Sequence, residues 1–192
     1  MPITIKGSDF PKPIKYFEKK GSAQVKSCLM LAALNTKGTT IINAKPSRDH
    51  TEILLKYLRL PIKIKKMKTH DNIKIRGIEK IKPFNYKIPS DISSSAFFII
   101  LTALSKKSKL KIKNVNVNPS RIGVLKILKK MGIKINLWHR KIYKGEKIAD
   151  IEVQSSNKIK SINCPSNLNS SAIDEFLIIF LVAAKAKGIS YF

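Results

Sequence analysis

Several residue types are scarce in this 192-residue chain, and each scarcity excludes a class of protein. The two cysteines, Cys28 and Cys164, show no spacing motif, so we expect neither a disulfide scaffold nor a metal site. The longest apolar stretches, Phe97–Leu101 and Phe176–Ala184, are too short to span a bilayer. No basic start leads into an apolar core with a cleavage site, which argues against a secretory signal. We therefore expect a cytoplasmic protein without metal that does not enter a membrane.

Acidic residues are also scarce, because 12 Asp and Glu stand against 38 Lys and Arg, and the formal net charge is +26. Such a charge is typical of nucleic-acid-binding proteins. However, only five of these cations are Arg, whose planar side chain binds phosphate and guanine bidentately. Aromatic residues make up 7% and mostly lie in apolar runs, where they cannot stack on bases. We expect no nucleic-acid partner, and a basic nucleic-acid-binding module stays the alternative to an enzyme.

The chain contains an internal repeat. Ala33-Leu34 corresponds to Ala103-Leu104, 70 positions later, and Pro46-Ser-Arg48 corresponds to Pro119-Ser-Arg121, 73 positions later. A third copy begins near Ser170. Since 43% of the residues are hydrophobic, each copy has enough apolar side chains to build a core.

Each repeat has the same predicted order of elements. An apolar helix is followed by an alternating strand, a Pro-Ser-Arg loop, an amphipathic helix and two further strands. A strand also precedes the first helix, at Ile3–Ile5 and at Tyr86–Ile88. The fold class is therefore α/β (α+β), built from β-α-β-α-β-β units. The first helix of each unit is apolar nearly all round, which predicts that it is buried.

A polar cluster opens each apolar helix, at Ser22/Gln24, Ser93–Ser95 and Ser170–Asp174. A helix start presents unpaired backbone N–H groups and a partial positive charge, so it can bind a phosphate or carboxylate. Ordinary N-capping is the alternative, and we favour it for Ser93–Ser95.

Five longer motifs follow one another along the chain. They are Gly21-Ser-Ala-Gln-Val-Lys-Ser27, Ser47-Arg-Asp-His-Thr-Glu52, Pro89-Ser-Asp-Ile-Ser-Ser-Ser-Ala-Phe97, Asn118-Pro-Ser-Arg-Ile-Gly123 and Ile173-Asp-Glu175. In this order they resemble the middle of the EPSP synthase (3-phosphoshikimate 1-carboxyvinyltransferase) family, in the branch with Ser-Ala-Gln where others have Ser-Ser-Gln. The resemblance runs over essentially the whole chain.

This resemblance implies a fold and an activity. The fold is the inside-out α/β barrel of the enolpyruvyl transferases, with two domains of three units each. The reaction moves the enolpyruvyl group of phosphoenolpyruvate to the 5-hydroxyl of shikimate-3-phosphate, in the shikimate pathway to chorismate and the aromatic amino acids. It implies no metal and no organic cofactor, and we expect the full-length enzyme to be a monomer.

The resemblance also implies roles for individual residues. Ser22, Ala23 and Arg48 would hold the shikimate phosphate, and Gln24 would lie between the two substrates. Asp174 would contact the shikimate hydroxyls and accept the proton of the 5-hydroxyl. The alternatives are that Asp174 only caps a helix and that Arg48 is a surface charge.

The chain also departs from the family pattern. It lacks three features of the family: an N-terminal Lys-Ser with its Arg, an Asn-Ala-Gly-Thr loop with its Arg, and a Lys-Glu-Ser-Asp-Arg segment followed by the Arg and Lys residues that bind phosphoenolpyruvate. We therefore expect a central fragment that is inactive alone, with residues 1–82 as the last unit of one domain. Residues 83–192 would be the first unit and the start of the next in the second domain. The sister enzyme that acts on UDP-N-acetylglucosamine is the alternative, but the Ser-Ala-Gln and Ser-Arg-Asp-His motifs argue against it.

Overall fold

The chain forms two compact units, which a computed structural model describes for residues 2–78 and 80–192. One unit ends at Asn85 and the other covers Tyr86–Phe192. This division lies three residues beyond the predicted boundary between 82 and 83. That the two units belong to different domains of a larger enzyme stays a prediction.

The first unit has the predicted β-α-β-α-β-β order. Its elements are β1 (Lys15–Glu18), α1 (Ala23–Leu34), β2 (Thr39–Ala44), α2 (His50–Tyr57), β3 (Ile62–Lys66) and β4 (Asp71–Arg76). They form one four-stranded sheet in the order β1-β2-β4-β3. β1 and β2 are parallel, whereas β4 is antiparallel to both of its neighbours.

Alternation along the strands builds the core of this unit. Ile42 and Ala44 in β2 and Ile73 and Ile75 in β4 point to one face of the sheet, and all four are fully buried. Met30 of α1 belongs to the same buried cluster. One face of the sheet therefore carries α1, and the other face is polar.

The second unit repeats this arrangement with one strand fewer. Its elements are α3 (Ile92–Leu104), β5 (Lys109–Asn116), α4 (Gly123–Lys130), β6 (Ile135–Tyr143), β7 (Glu146–Gln154), α5 (Asn169–Ala172) and α6 (Phe176–Ala184), with 3₁₀ turns at Ser166–Leu168 and Ile173–Glu175. The antiparallel sheet has the order β5-β7-β6. Side chains of α3, α4, α6 and the sheet form one buried cluster.

The predictions of a strand at the start of each unit, at Ile3–Ile5 and at Tyr86–Ile88, are both wrong. Ile3 and Ile5 are exposed and lie outside any strand, and the first strand starts only at Lys15, beyond the prolines Pro11 and Pro13. Proline lacks the N–H that a central strand would donate, so pairing is delayed until the chain has passed them. Residues 86–88 form no strand either. The pairing there is a single parallel bridge between Ser90 and Val115.

The third copy is present as a shorter version of the same motif. The segment before α5 and the segment after α6 are joined by parallel bridges, Lys160 to Lys187 and Asn163 to Tyr191. The Cys164 N–H donates to the Tyr191 carbonyl at 2.8 Å. All three copies therefore contain a helix that links two parallel extended segments.

The prediction that the first helices are buried all round is wrong for one face of each. Leu31 of α1, Phe97 and Leu101 of α3, and Leu177 of α6 are more than half exposed. α1 and α3 each pack one side against the sheet of their unit, and α6 packs against α3 and α4. The rest of the apolar surface of each helix faces outward.

One helical run is longer than the sequence indicates. Ser166–Ala184 spans 19 residues and is long and apolar enough to cross a membrane by length and composition. It also contains Asp174 and Glu175, and its residues Ile179 and Val182 lie in the core of the second unit. That the protein stays outside membranes remains a prediction.

Asp150 on β7 supports two irregular strands. The register shifts in β5 between Ile112 and Val115, and in β6 between Trp138 and Lys141. The Asn114 N–H donates to Asp150 Oδ1 at 3.0 Å, and His139 Nδ1 lies 2.9 Å from Oδ2. Asn114 and His139 both have positive φ, at 52° and 46°. One carboxylate thus holds both bulges.

These contacts lower the pKa of Asp150 to about 2. The largest cause is the hydrogen bond from Asn114, followed by the one from His139, with Lys111 adding its charge. Because the folded pKa lies below the ordinary value of about 3.9, this stabilisation is present above that pH. It is lost as the pH falls toward 2.

We expect Asp150→Asn to lower the melting temperature at pH 7 and to flatten the loss of stability between about pH 4 and pH 2. Thermal unfolding followed by circular dichroism across this range measures both effects. Glu152→Gln is the matched control, since Glu152 lies on the same strand and pairs with Lys109 at 3.1 Å without contacting a bulge. Equal effects of the two variants would contradict the role of Asp150.

Candidate functional site

The parallel pair β1 and β2 brings the predicted residues of the first unit to one edge. Glu18 at the end of β1 lies opposite Ala44 at the end of β2, so the two following loops leave the same edge of the sheet. The first loop leads to Ser22, Ala23 and Gln24. The second carries Arg48.

A buried carboxylate shapes the first of these loops. Glu18 is buried and accepts hydrogen bonds from the Lys20 N–H at 2.8 Å and the Gly21 N–H at 2.6 Å. Gly21 has a φ of +75°, a conformation that glycine adopts without strain. A Cβ on Gly21 would lie 3.8 Å from the Pro46 carbonyl, so the two loops are close neighbours. The sequence alone did not indicate this role of Glu18.

Ser22 is the N-cap of α1. Its Oγ accepts a hydrogen bond from the Val25 N–H at 3.3 Å and donates to Gln24 Oε1 at 3.4 Å. The first turn of α1 contains no acidic residue. Its backbone N–H groups and the helix dipole therefore favour an anion at this point.

The second loop adds a cation and a hydroxyl. Arg48 is half-buried, two residues before α2 begins at His50. Ser47 Oγ is buried and has no hydrogen-bond partner in the described part of the chain. A guanidinium and an unsatisfied hydroxyl beside a helix start are groups that bind a phosphate well. Ser47 is not among the site residues predicted from the sequence.

Two polar contacts join α1 to α2 behind this edge. Lys26 Nζ lies 2.6 Å from Glu52 Oε1, and the two side chains are only 1% and 5% exposed. In the next positions, the hydroxyls of Ser27 and Thr51 are 2.7 Å apart. The helix that starts at the Ser22 loop and the helix that follows Arg48 are therefore held together.

Asp174 lies in the second unit, in the 3₁₀ turn Ile173–Glu175 directly before α6. Its side chain is 43% exposed, and its Oδ2 lies 3.9 Å from Nη2 of Arg121. It is not the cap of α6, because Glu175 has that position and makes no capping hydrogen bond. Asp174 thus belongs to a different unit from Ser22 and Arg48.

The start of α3 is capped by an acid, not by the predicted serines. Asp91 is the N-cap, and its Oδ2 accepts from the Ser94 N–H at 2.7 Å. Partial burial alone would raise the pKa of Asp91, but the hydrogen bonds from Ser94 and the charge of Arg121 outweigh it and lower the pKa.

Comparison with known proteins identifies the family. The EPSP synthase (3-phosphoshikimate 1-carboxyvinyltransferase) family matches residues 1–191. The chain belongs to the EPSP synthase family. The 3-phosphoshikimate 1-carboxyvinyltransferases of Hydrogenovibrio crunogenus and Ruthia magnifica are 41% and 42% identical to it over 189 residues. These alignments cover 97% and 98% of this chain but only 42% of each relative, so the chain spans less than half of their length.

Solved structures agree with this assignment. The EPSP synthase of Acinetobacter baumannii is 38% identical, with a TM-score of 0.81 over 96% of this chain and 41% of that protein. The enolpyruvyl transferase NikO of Streptomyces tendae is only 14% identical, with a TM-score of 0.66, and shares the fold. The predicted fold class is thereby confirmed, with two open sheets and no closed barrel in the described residues.

The contacts between α1 and α2 join residues of two motifs through which the chain resembles the EPSP synthase family. Lys26 and Ser27 belong to the Ser-Ala-Gln-Val-Lys-Ser motif, and Thr51 and Glu52 belong to the Ser-Arg-Asp-His-Thr-Glu motif. The ends of the two motifs that lie away from the sheet edge therefore contact each other. Their other ends carry Ser22 and Arg48.

We expect Lys26→Met to destabilise the first unit by about 3–5 kcal/mol, because it leaves the Glu52 carboxylate buried without its cation. The double variant Lys26→Met/Glu52→Leu should recover most of this loss, since a buried apolar pair of similar volume needs no charge partner. Urea unfolding followed by circular dichroism measures both changes. Lys56→Met on the exposed side of α2 is the control, and a loss of the same size there would refute the buried pair as the cause.

Proposed function

We propose that this chain carries the shikimate-3-phosphate side of an EPSP synthase active site. The reaction transfers the enolpyruvyl group from phosphoenolpyruvate to the 5-hydroxyl of shikimate-3-phosphate and releases phosphate. The chain belongs to the EPSP synthase family. The observation that carries the proposal is that the start of α1 and the Arg48 loop lie at the same edge of one sheet.

The first unit supplies the groups that hold the shikimate phosphate. Ser22 and Ala23 offer the N–H groups of a helix start, and Arg48 offers two parallel donors. Ser47 adds a hydroxyl that its own surroundings leave unsatisfied. We assign Gln24, one position further along α1, to the contact between the two substrates. A dianionic phosphate is thus bound by dipoles and one bidentate cation.

The second unit supplies the proton acceptor. The 5-hydroxyl of shikimate becomes a nucleophile only when its proton is removed as the carbon–oxygen bond forms. The Asp174 carboxylate accepts this proton in our proposal, with no cofactor involved. Arg121, 3.9 Å away, balances the negative charge of Asp174 in the free protein.

Membership of the family suggests further properties of the full-length enzyme. We propose that the full-length enzyme is a cytoplasmic monomer whose partners are its two phosphorylated substrates, without nucleic acid or membrane. We also propose that phosphoenolpyruvate is bound mainly by residues that this chain lacks. The chain alone therefore does not catalyse the reaction.

Binding of shikimate-3-phosphate tests the first unit directly. We expect the 192-residue chain to bind it, and Arg48→Gln to weaken the affinity roughly ten- to a hundred-fold, because about 1.5–3 kcal/mol of charge-assisted hydrogen bonding is lost. Isothermal titration calorimetry measures the affinity. Arg59→Gln removes the same charge at an exposed position after α2 and should leave binding unchanged. Equal weakening by both variants would mean that only net charge attracts the ligand.

A chimera tests turnover. In it, this chain replaces the 41% of the Acinetobacter baumannii EPSP synthase that it matches. We expect the chimera to release phosphate from the two substrates, and Asp174→Asn to lower kcat by about 10²–10⁴-fold, the range of general base catalysis. An active chimera that is unaffected by Asp174→Asn would refute Asp174 as the proton acceptor.

A further inference from the structure

The two Pro-Ser-Arg loops have equivalent positions in their units. Arg48 follows β2, which is parallel to β1, and Arg121 follows β5, which is joined to Ser90 by a parallel bridge. Each loop therefore leaves the sheet beside the start of the first helix of its unit, α1 or α3. By position, Arg121 is the second-unit counterpart of the arginine that we propose to bind the substrate phosphate.

The anions near Arg121 belong to the protein itself. Its Nη2 lies 3.4 Å from Asp91 Oδ1 and 3.9 Å from Asp174 Oδ2, and it donates a hydrogen bond to Ser93 Oγ. The Ser93 hydroxyl in turn donates to Oε1 of Glu175. The Arg121 side chain is only 16% exposed, whereas the side chains of Asp91 and Asp174 are 51% and 43% exposed, so the contacts run from the surface into the folded unit.

Glu175 is the buried end of this chain of contacts. It is 2% exposed, and burial raises the pKa of its carboxyl group. The hydrogen bond from Ser93 and the charge of Arg121 counteract that rise, while the neighbouring carboxylates Asp174 and Asp91 add to it. One guanidinium therefore balances three carboxylates.

Asp174 and Glu175 are consecutive residues of one 3₁₀ turn. A contact that holds the Glu175 side chain therefore also restricts the position of Asp174. Arg121 acts on Glu175 through Ser93 and on Asp174 by direct charge attraction. Removing Arg121 would leave the carboxylates of Asp91, Asp174 and Glu175 to repel one another without its positive charge.

We propose that Arg121 and Ser93 are positioning residues for Asp174. The second unit uses the same helix-start and Pro-Ser-Arg arrangement as the first, but binds the protein's own Asp174–Glu175 turn instead of a substrate anion. This inference rests on the proposed role of Asp174 as proton acceptor.

The contacts themselves are tested in the 192-residue chain without substrate. We expect Arg121→Gln and Ser93→Ala each to raise the pKa of Glu175, and Arg121→Lys to raise it less than Arg121→Gln. Carbon-detected NMR titration of the carboxyl groups measures these shifts. Arg140→Gln, on an exposed part of β6, removes the same charge and should not move the Glu175 pKa. An unchanged pKa in Arg121→Gln would overturn the proposal, whether or not the chain binds shikimate-3-phosphate.

The positioning role is tested in the active chimera. We expect Arg121→Gln to lower kcat roughly ten- to a hundred-fold with a smaller change in the KM for shikimate-3-phosphate, because a misplaced base acts mainly on the transition state. In the Asp174→Asn background, Arg121→Gln should cause almost no further loss. Arg121→Lys should restore part of the activity.

Each failure points to a different claim. An inactive parent chimera would count against the proposed function, and the NMR titration would then decide the network by itself. Fully additive effects of Arg121→Gln and Asp174→Asn in an active chimera would overturn the positioning role, because a general loss of folded structure acts in either background.

Discussion

A helix that connects two neighbouring parallel segments constrains everything else in this protein. Because both segments run the same way, the start of the helix and the loop after the second segment must leave at one edge. This holds for α1 between β1 and β2, and for α3 between Ser90 and β5. Each such edge combines unpaired helix N–H groups with an arginine from a Pro-Ser-Arg loop. The geometry of an anion site is therefore built into the repeat itself.

The identity of the helix cap separates the two copies. Ser22 caps α1 with a neutral hydroxyl, so the positive potential of the helix start is not offset by the cap. Asp91 caps α3 with a carboxylate that also contacts Arg121. The positive potential of the helix start thus stays available to an anion in the first unit, whereas the Asp91 carboxylate offsets it in the second.

The sequence predicted what depends on local pattern and missed what depends on contacts across elements. Alternation located β2 and β4, and the repeat located α1 and α3 to within a residue or two. Alternation also suggested a strand at Ile3–Ile5, where there is no neighbour to pair with. The buried pair of Lys26 and Glu52 was beyond prediction, because both are charged residues that a single sequence places on the surface. Arg121 could have been found, since the repeat aligns it with Arg48.

The net charge of +26 is distributed differently over the two sheets. On the polar face of the first sheet the cations Lys15, Lys63, Lys65, Lys74 and Arg76 are all exposed, and Lys63 lies directly opposite Lys74. On the second sheet, Lys109 pairs with Glu152 and Lys111 with Asp150. Lysine tolerates such crowding because its ammonium group stays hydrated at the end of a flexible stem. At both Pro-Ser-Arg loops the cation is arginine, although lysine is far commoner in this chain. A planar group with fixed donors suits a place where an anion is held in one orientation, as Arg121 holds Asp91.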